Sequence, residues 1–279
     1  AAPTIGVVTM CGPAHLAGFG SLAGVASAKG ELFAALDAAG IAVINADDQF
    51  SGFLKGLTAA RCVSFGIDAA VDYSAAQITE LGVGRGSRFT LCTENRSVEI
   101  TLRLDGRHNI YNALAAAAAA TAAGATLDDV QRGLATVRPV PGRFKLVTGI
   151  NGATLIDDTY NANPGSLAAA LDVLHRTPGE RWLVLGDMAE LGTLEIAAHR
   201  DAGARAEQSG VERLFAIGAL AREAALSFGS RAEYFEDQDE LADALKARLH
   251  HGVTVLIKGS RRMQLDRLVA ALTHEVPSC

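Results

Sequence analysis

The residues best suited to chemistry stand together at 155–166, Leu155-Ile156-Asp157-Asp158-Thr159-Tyr160-Asn161-Ala162-Asn163-Pro164-Gly165-Ser166. The apolar run 153–156 reads as a buried strand and 167–174 has helical spacing, so two carboxylates and a polar stretch occupy a strand-to-helix loop. In open α/β sheets, ligands sit outside the carboxyl ends of strands, beside helix N-termini whose first N–H groups lack partners. The plainer alternative is a capped turn, with Asn163 or Ser166 as cap and Pro164 in the first helical turn. A cap uses one or two polar residues, and this loop holds more.

The same strand-end position recurs along the chain. A strand at 5–9 precedes Gly12-Pro13-Ala14-His15-Leu16, which puts His15 where a metal ligand could stand, although a lone His is more often packed or on the surface. Lys29 falls in a helix at 22–39 among Val25, Ala26, Ala28 and Phe33. A snorkelling surface Lys is the favoured reading; a desolvated one would have a depressed pKa and react as a free amine. Strand 41–45 ends in Ala46-Asp47-Asp48. Asn109 and Asn112, three apart, project from one side of a helix's first turn, where amides could bond a heterocycle's edge or Asn109 could simply cap.

Two more loops share that edge, Gly186-Asp187-Met188-Ala189-Glu190-Leu191-Gly192 and Lys258-Gly259-Ser260-Arg261-Arg262. Asp187 and Glu190 could orient an amine or cap a helix. Lys258, Arg261 and Arg262 could be a solvated basic helix start, but cations there oppose the helix dipole, and an anionic ligand would relieve this.

The elements that must position these residues follow from length and pattern. With 279 residues, 49% of them hydrophobic and 20% charged, the chain can bury a large core and form two domains. A net charge of −6 argues against a broad nucleic-acid surface, so small molecules are the expected partners. No apolar run reaches membrane-spanning length; the longest, 113–123, is an Ala-rich helix containing Thr121. Cys11, Cys62, Cys92 and Cys279 are scattered without metal-ligand spacing and suit reduced thiols in a cytoplasmic protein.

Residues 61–104 read as β-rich, with strands at 61–66, 88–93 and 97–104 and a turn near Glu94-Asn95-Arg96. The Pro/Gly-rich stretch 137–143 reads as a linker and divides the chain into 1–142 and 143–279. Beyond it, strands at 153–156, 181–185, 213–217, 232–235 and 253–257 alternate with helices at 167–174, 195–209, 221–226, 237–249 and 263–272. Such alternation predicts a largely parallel, doubly wound sheet. The chain opens in a strand without a signal-peptide pattern, and no G-x-x-x-x-G-K-[ST] phosphate loop occurs in it, so it is expected to begin inside a larger protein.

Eight motifs, taken in order, resemble the Mur ligases: Gly12-Pro13-Ala14-His15-Leu16, Ala28-Lys29-Gly30-Glu31, Asn45-Ala46-Asp47-Asp48, the run His108 to Leu114, Pro141-Gly142-Arg143, the run Asp157 to Pro164, the run Gly186 to Gly192, and Lys258-Gly259-Ser260-Arg261. The Asp-Thr-Tyr-Asn-Ala-Asn-Pro run is most similar to the member that adds D-alanyl-D-alanine. One departure is Met10-Cys11, where relatives usually show Asn-Val.

The resemblance implies that 1–142 is the later part of a central ATP-binding α/β domain and 143–279 a Rossmann-like carboxyl-terminal domain that binds the acceptor. A UDP-substrate domain, the phosphate-loop Lys and a metal-binding Glu would lie upstream. The implied activity is ATP-dependent, ADP-forming amide ligation of D-alanyl-D-alanine to UDP-N-acetylmuramoyl-tripeptide through an acyl phosphate, in peptidoglycan precursor synthesis, with Mg²⁺ neutralising the crowded anions. By likeness, His15 ligates a Mg²⁺ and Lys29 carries a carbamate in some relatives. Asn109 and Asn112 meet adenine, Arg143 faces phosphate and Asp158 bonds ribose hydroxyls. Tyr160, Asn161, Asn163, Lys258, Ser260 and Arg261 line the acceptor side, with Arg261 or Lys258 pairing the dipeptide's carboxylate. His15, Lys29 and Arg143 are the implied catalytic set, in a cytoplasmic monomer without membrane insertion. A sister Mur ligase, a folylpolyglutamate synthase relative, and a non-catalytic nucleotide- or peptide-binding module are the rival readings.

Overall fold

Apolar runs bounded by glycine and polar residues build the first sheet. The computed structural model describes residues 2–13 and 16–273, and the chain divides into two compact units, Ala1–Arg138 and Pro139–Cys279. The first unit runs β1 Ile5–Val8, α1 Leu16–Phe19, α2 Leu22–Ala34, β2 Ile41–Asn45, α3 Ser51–Gly56, β3 Arg61–Gly66, β4 Tyr73–Glu80, β5 Ser87–Cys92, β6 Ser97–Leu102, α4 Arg107–Ala122 and α5 Leu127–Thr136. Its six strands lie side by side in chain order. Strands β1 to β4 are parallel neighbours, while β4, β5 and β6 pair antiparallel.

Several elements differ from the sequence expectation. Helix α2, capped by Ser21 Oγ accepting from Gly24 N at 3.1 Å, ends at Ala34 instead of 39 because the chain turns back at Asp37–Gly40, with Gly40 N bonded to the Asp37 carbonyl at 2.8 Å. Strand β4 escaped the sequence reading: its register breaks between Ala76 and Thr79, where Gln77 takes a φ of 52°, and a bulge of this kind destroys the alternation that marks a strand. Helix α3 has six residues, too few to show a period. On the other face, Ile110, Ala113, Leu114, Ala117 and Ala118 of α4 pack against Phe65, Phe89, Leu91 and Ile100; small Ala side chains let the helix lie close to the strands.

The second unit runs β7 Lys145–Thr148, β8 Thr154–Asp158, α6 Pro164–Leu174, β9 Glu180–Gly186, α7 Glu195–Gln208, β10 Arg213–Ile217, α8 Ala221–Phe228, β11 Ala232–Phe235, α9 Gln238–Lys246, β12 Val253–Lys258 and α10 Asp266–Leu272. The sheet order is β11-β10-β9-β12-β8-β7. Only β7 runs antiparallel to its neighbour, and the rest form the parallel, doubly wound sheet that alternation predicts. All six residues of β12 are buried, as expected of a strand covered on both faces. The chain leaves β8, passes the place later filled by β12, winds outward through β9, β10 and β11, and then returns to insert β12 between β9 and β8. That return reverses the winding and makes a topological switch point, where the carboxyl ends of β8, β12 and β9 meet. In register, Lys258 stands beside Asp158 on one side and Leu185 on the other.

Composition places the divide at the end of the Pro/Gly stretch, and the compact units of the structure part between Arg138 and Pro139. The reason is local. Gly142 N donates to Asp157 Oδ2 at 2.8 Å, and its carbonyl accepts from Tyr160 N at 2.9 Å, so the residues before β7 are fastened to the second sheet. Gly142 has a φ of +76°, and a Cβ there would lie 3.2 Å from Tyr160 N, which a non-glycine residue would not tolerate easily.

Helices α7 and α8 approach closely at Gly203, where a Cβ would come within 2.1 Å of the Ala224 carbonyl oxygen. Alanine is the better helix former by about 1 kcal/mol, but backbone cannot retreat as a side chain can. Gly203→Ala is therefore expected to destabilise the protein by roughly 1–3 kcal/mol; a chemical denaturation midpoint equal to or above wild type would show that the helices have room to part.

Candidate active site

In the second unit, the switch point collects the charged residues. Asp158 ends β8 and Lys258 ends β12, and their equal register brings Lys258 Nζ to 2.5 Å from Asp158 Oδ2. The same ammonium donates to the Asn161 carbonyl at 2.9 Å, and Asp158 Oδ1 accepts from Phe144 N at 3.2 Å. Lys258 is only 2% exposed. Burial pushes its pKa down, attraction and a hydrogen bond from Asp158 push it back up, and the positive charge of Arg143 adds to the lowering, with the net shift downward. The expectation that Lys258 pairs with a ligand carboxylate is corrected here: its ammonium is committed to Asp158 and Asn161. It is also a strand residue, so the solvated helix start is excluded for it.

Arg143 and Tyr160 form the exposed part of this edge. The guanidinium carbon lies 4.0 Å from the centre of the Tyr160 ring, a contact through the aromatic face that leaves the N–H fork available to an anion. Ser260 is 3% exposed, and its Oγ is buried without a hydrogen-bond partner among the described residues. Leaving a buried hydroxyl unsatisfied costs about 1–3 kcal/mol, so the loop after β12 carries a polar group that the described residues leave unspent. Arg261 lies in a 3-10 turn, Arg261–Met263, and pairs with Asp266 at 3.1 Å.

Several neighbours turn out to serve the scaffold. Asn163 is the N-cap of α6, its Oδ1 accepting from Ser166 N at 2.8 Å while Ser166 Oγ accepts from Asn163 N at 3.1 Å, so the capping alternative holds at this position. Asn161 Oδ1 accepts from Ala162 N at 2.8 Å. Asp187 Oδ1 accepts from Leu220 N and Ala221 N at 3.0 and 2.9 Å, capping the first turn of α8, with Arg262 3.9 Å from its other oxygen. Sequence reasoning missed His199, which is fully buried. It accepts from Met188 N through Nε2 at 2.9 Å and bonds the Glu195 carbonyl through Nδ1 at 2.7 Å, pinning the loop after β9. Nothing in its sequence neighbourhood points to Met188.

In the first unit, the parallel strands β1, β2 and β3 also end on one edge. His15 lies outside the described residues. Lys29 is exposed rather than set among apolar groups, and donates to the Met10 carbonyl at 2.5 Å. Asn109 does not cap: Gly106 holds the N-cap position of α4, while Asn109 Nδ2 donates to the Asp105 carbonyl at 2.7 Å. Asn112 Nδ2 reaches Asn109 Oδ1 at 3.3 Å, so the two amides are joined on one side of the first helical turn. Asn112 is exposed.

Beside them sits a carboxylate that the sequence marked only by position. Asp47 Oδ2 accepts from Ile67 N, Asp68 N and the Tyr111 hydroxyl at 2.6, 3.0 and 2.8 Å, and Oδ1 from Ala69 N at 2.8 Å. It ties the loop after β2 to the loop after β3 and to α4. Asp48 likewise accepts from Cys11 N at 2.6 Å and Phe50 N at 2.8 Å, holding the end of β1.

A partly antiparallel α/β unit and a doubly wound parallel unit, each with polar groups gathered at strand carboxyl ends, define an α/β protein of two compact units. The Mur ligase middle domain matches residues 1–120 and the Mur ligase glutamate ligase domain matches residues 142–261. The chain belongs to the Mur ligase family. It is 42% identical over 274 residues to UDP-N-acetylmuramoyl-tripeptide--D-alanyl-D-alanine ligase of Escherichia coli (strain K12), covering 97% of this chain and 60% of that one. For the protein of the same name in Mycobacterium tuberculosis (strain CDC 1551 / Oshkosh) the figures are 37% over 301 residues, 99% and 59%. Among solved structures, MurF from Acinetobacter baumannii superposes with a TM-score of 0.88 at 30% identity, over 96% of this chain and 59% of that one. The fold also matches MurF from Thermotoga maritima in complex with ADP, with a TM-score of 0.83 at 24% identity, over 97% and 62%. The chain thus spans about 60% of the length of the relatives it matches.

Burial alone would raise the Asp47 pKa, but the N–H groups of Ile67, Asp68 and Ala69 with the Tyr111 hydroxyl hold it below the usual carboxylate value. A depressed folded value means stability that is present above about pH 4 and is lost as pH falls through the folded pKa. Asp47→Asn is expected to cost roughly 1–2 kcal/mol at neutral pH, allowing for solvent screening of a partly exposed group, and to flatten the acid side of the Tm-against-pH curve. An acid limb as steep as wild type would assign that limb to other carboxylates.

Proposed function

We propose that this chain supplies the later central and carboxyl-terminal parts of an ATP-dependent ligase that joins D-alanyl-D-alanine to UDP-N-acetylmuramoyl-tripeptide in peptidoglycan precursor synthesis. The observation that carries the reading is the run Asp157 to Pro164 folded as the loop at the switch point, with the Asp158 carboxylate, the exposed Arg143 and the orphaned Ser260 hydroxyl around it. Two relatives bearing the name of that ligase share 42% and 37% of their aligned residues with the chain.

The chemistry explains the residue types. A carboxylate is a poor acyl donor until its oxygen becomes a good leaving group, and ATP supplies this by phosphorylation. The neutral amine of the acceptor then attacks the acyl phosphate through a tetrahedral intermediate, releasing ADP and phosphate. Asn109 and Asn112 are assigned to the adenine edge, where amides donate and accept together. Asp158 is assigned to the ribose hydroxyls and Arg143 to phosphate, which its planar fork matches. Tyr160, Asn161, Ser260 and Arg261 are assigned to the acceptor, with Arg261 taking its carboxylate and the Ser260 hydroxyl a polar atom. Asn163 shapes that side through its cap.

Mg²⁺ fits this chain only in part. Among the described residues no group of three or more His, Cys, Asp or Glu side chains is gathered to hold an ion; Mg²⁺ seldom requires one, since phosphates and water supply most of its oxygens. His15 and a carbamylated Lys29 would be the protein's contribution, and the ion would neutralise phosphate charge. Free thiols at Cys11, Cys62 and Cys92 favour action in a reducing compartment, the cytoplasm.

The 279-residue chain lacks a phosphate loop, so by itself it is expected to release no phosphate from ATP; release above a no-enzyme control would contradict the division of labour. In the ligase completed by that segment, ADP formation should require D-alanyl-D-alanine in preference to single amino acids, and preference for glutamate or a diamino acid would reassign the chain to a sister ligase. Arg143→Ala there is expected to lower kcat about 10²-fold or more, and unchanged turnover would remove Arg143 from the mechanism.

A further inference from the structure

We propose that Lys258 is a positioning residue, whose buried ammonium holds the nucleotide-facing carboxylate of Asp158 and the acceptor-facing loop at Asn161 in one arrangement without itself meeting either substrate. The inference rests on the reading of Asp158 as a nucleotide contact.

The geometry is set by the sheet. Strands β8 and β12 run parallel with Lys258 opposite Asp158, so the 2.5 Å contact to Oδ2 is dictated by strand register. The second contact, 2.9 Å to the Asn161 carbonyl, reaches into the loop three residues beyond Asp158. One rigid point therefore restrains both the carboxylate and the backbone between Tyr160 and Ala162. At 2% exposure the ammonium is shielded from a ligand entering from solvent, whereas the Asp158 side chain keeps 16% exposure and Tyr160 keeps 47%. A buried cation is stable only if paired and hydrogen-bonded, and Lys258 has both conditions met by the two groups it orients. Arg143 presses the Lys258 pKa in the same direction as burial.

The test is a double-variant binding cycle in the completed ligase, read by titration with a fluorescent ADP analogue. Lys258→Met is expected to weaken ADP binding about tenfold, because Asp158 and the Asn161 backbone lose the donor that holds them. Asp158→Asn should weaken binding to a similar extent. The double variant should match Asp158→Asn alone, since Lys258 acts through that carboxylate. Wild-type affinity in Lys258→Met, or losses that multiply in the double variant, would overturn the inference. Should one single variant fail to fold, the double variant, which buries no unpaired charge, is compared with the single variant that folds: equal affinity sustains the assignment and a further loss ends it. Wild-type protein that binds no ADP would overturn the nucleotide reading together with this one, whereas failure of the variants alone would overturn only the role of Lys258.

Discussion

The charge pair between Asp158 and Lys258 is the constraint on which the second unit's edge depends. An ammonium at 2% exposure would be costly without a partner, and the parallel register of β8 and β12 supplies one at 2.5 Å. A one-residue slip of either strand would point one of the charges to the opposite face of the sheet. The pair thus makes wrong register expensive while holding a carboxylate at the point where the winding of the sheet reverses.

Other strand-end carboxylates are spent differently. Asp47 gathers three backbone N–H groups and the Tyr111 hydroxyl. Asp157 holds Gly142 N and the Thr159 hydroxyl, both near 2.8 Å. Asp187 caps α8, and Asp48 holds the end of β1. In each case a carboxyl group's oxygens accept from donors that loops would otherwise leave buried. These carboxylates organise the ends of the strands, which frees Asp158, bonded by one side-chain cation and one amide, to keep acceptor capacity toward solvent. Family membership and this division of labour together give a polar edge whose floor is rigid and whose upper groups, Arg143, Tyr160 and Arg261, are exposed.

In the first unit, Tyr111 shows how tightly a strand edge is wired. Burial and the adjacent Asp47 carboxylate push its hydroxyl up to about 12, so it stays a donor throughout the physiological range. It is next to Asn112 in α4, and the helix that presents the amide pair is therefore anchored to the strand edge by its own first turn.

Much of this was legible before any fold was known. Alternating apolar and helical segments determined the parallel second sheet, because a strand buried on both faces needs a continuous apolar run and a crossover needs a helix. Ordered motifs determined the family, and strand-end position determined where polar loops gather. Tertiary structure alone decided which polar residue does what. Lys258 and Arg261 are three residues apart in one basic run, yet one ends a strand buried against its neighbour and the other is exposed, a difference set by sheet register across a hundred residues of chain. Asn163 and Asn109 both looked able to cap, and only the path of the preceding loop made the first a cap and the second a partner of Asn112. Local sequence reports what a residue can donate, accept or bury; which partner it finds depends on long-range pairing, which no local pattern encodes.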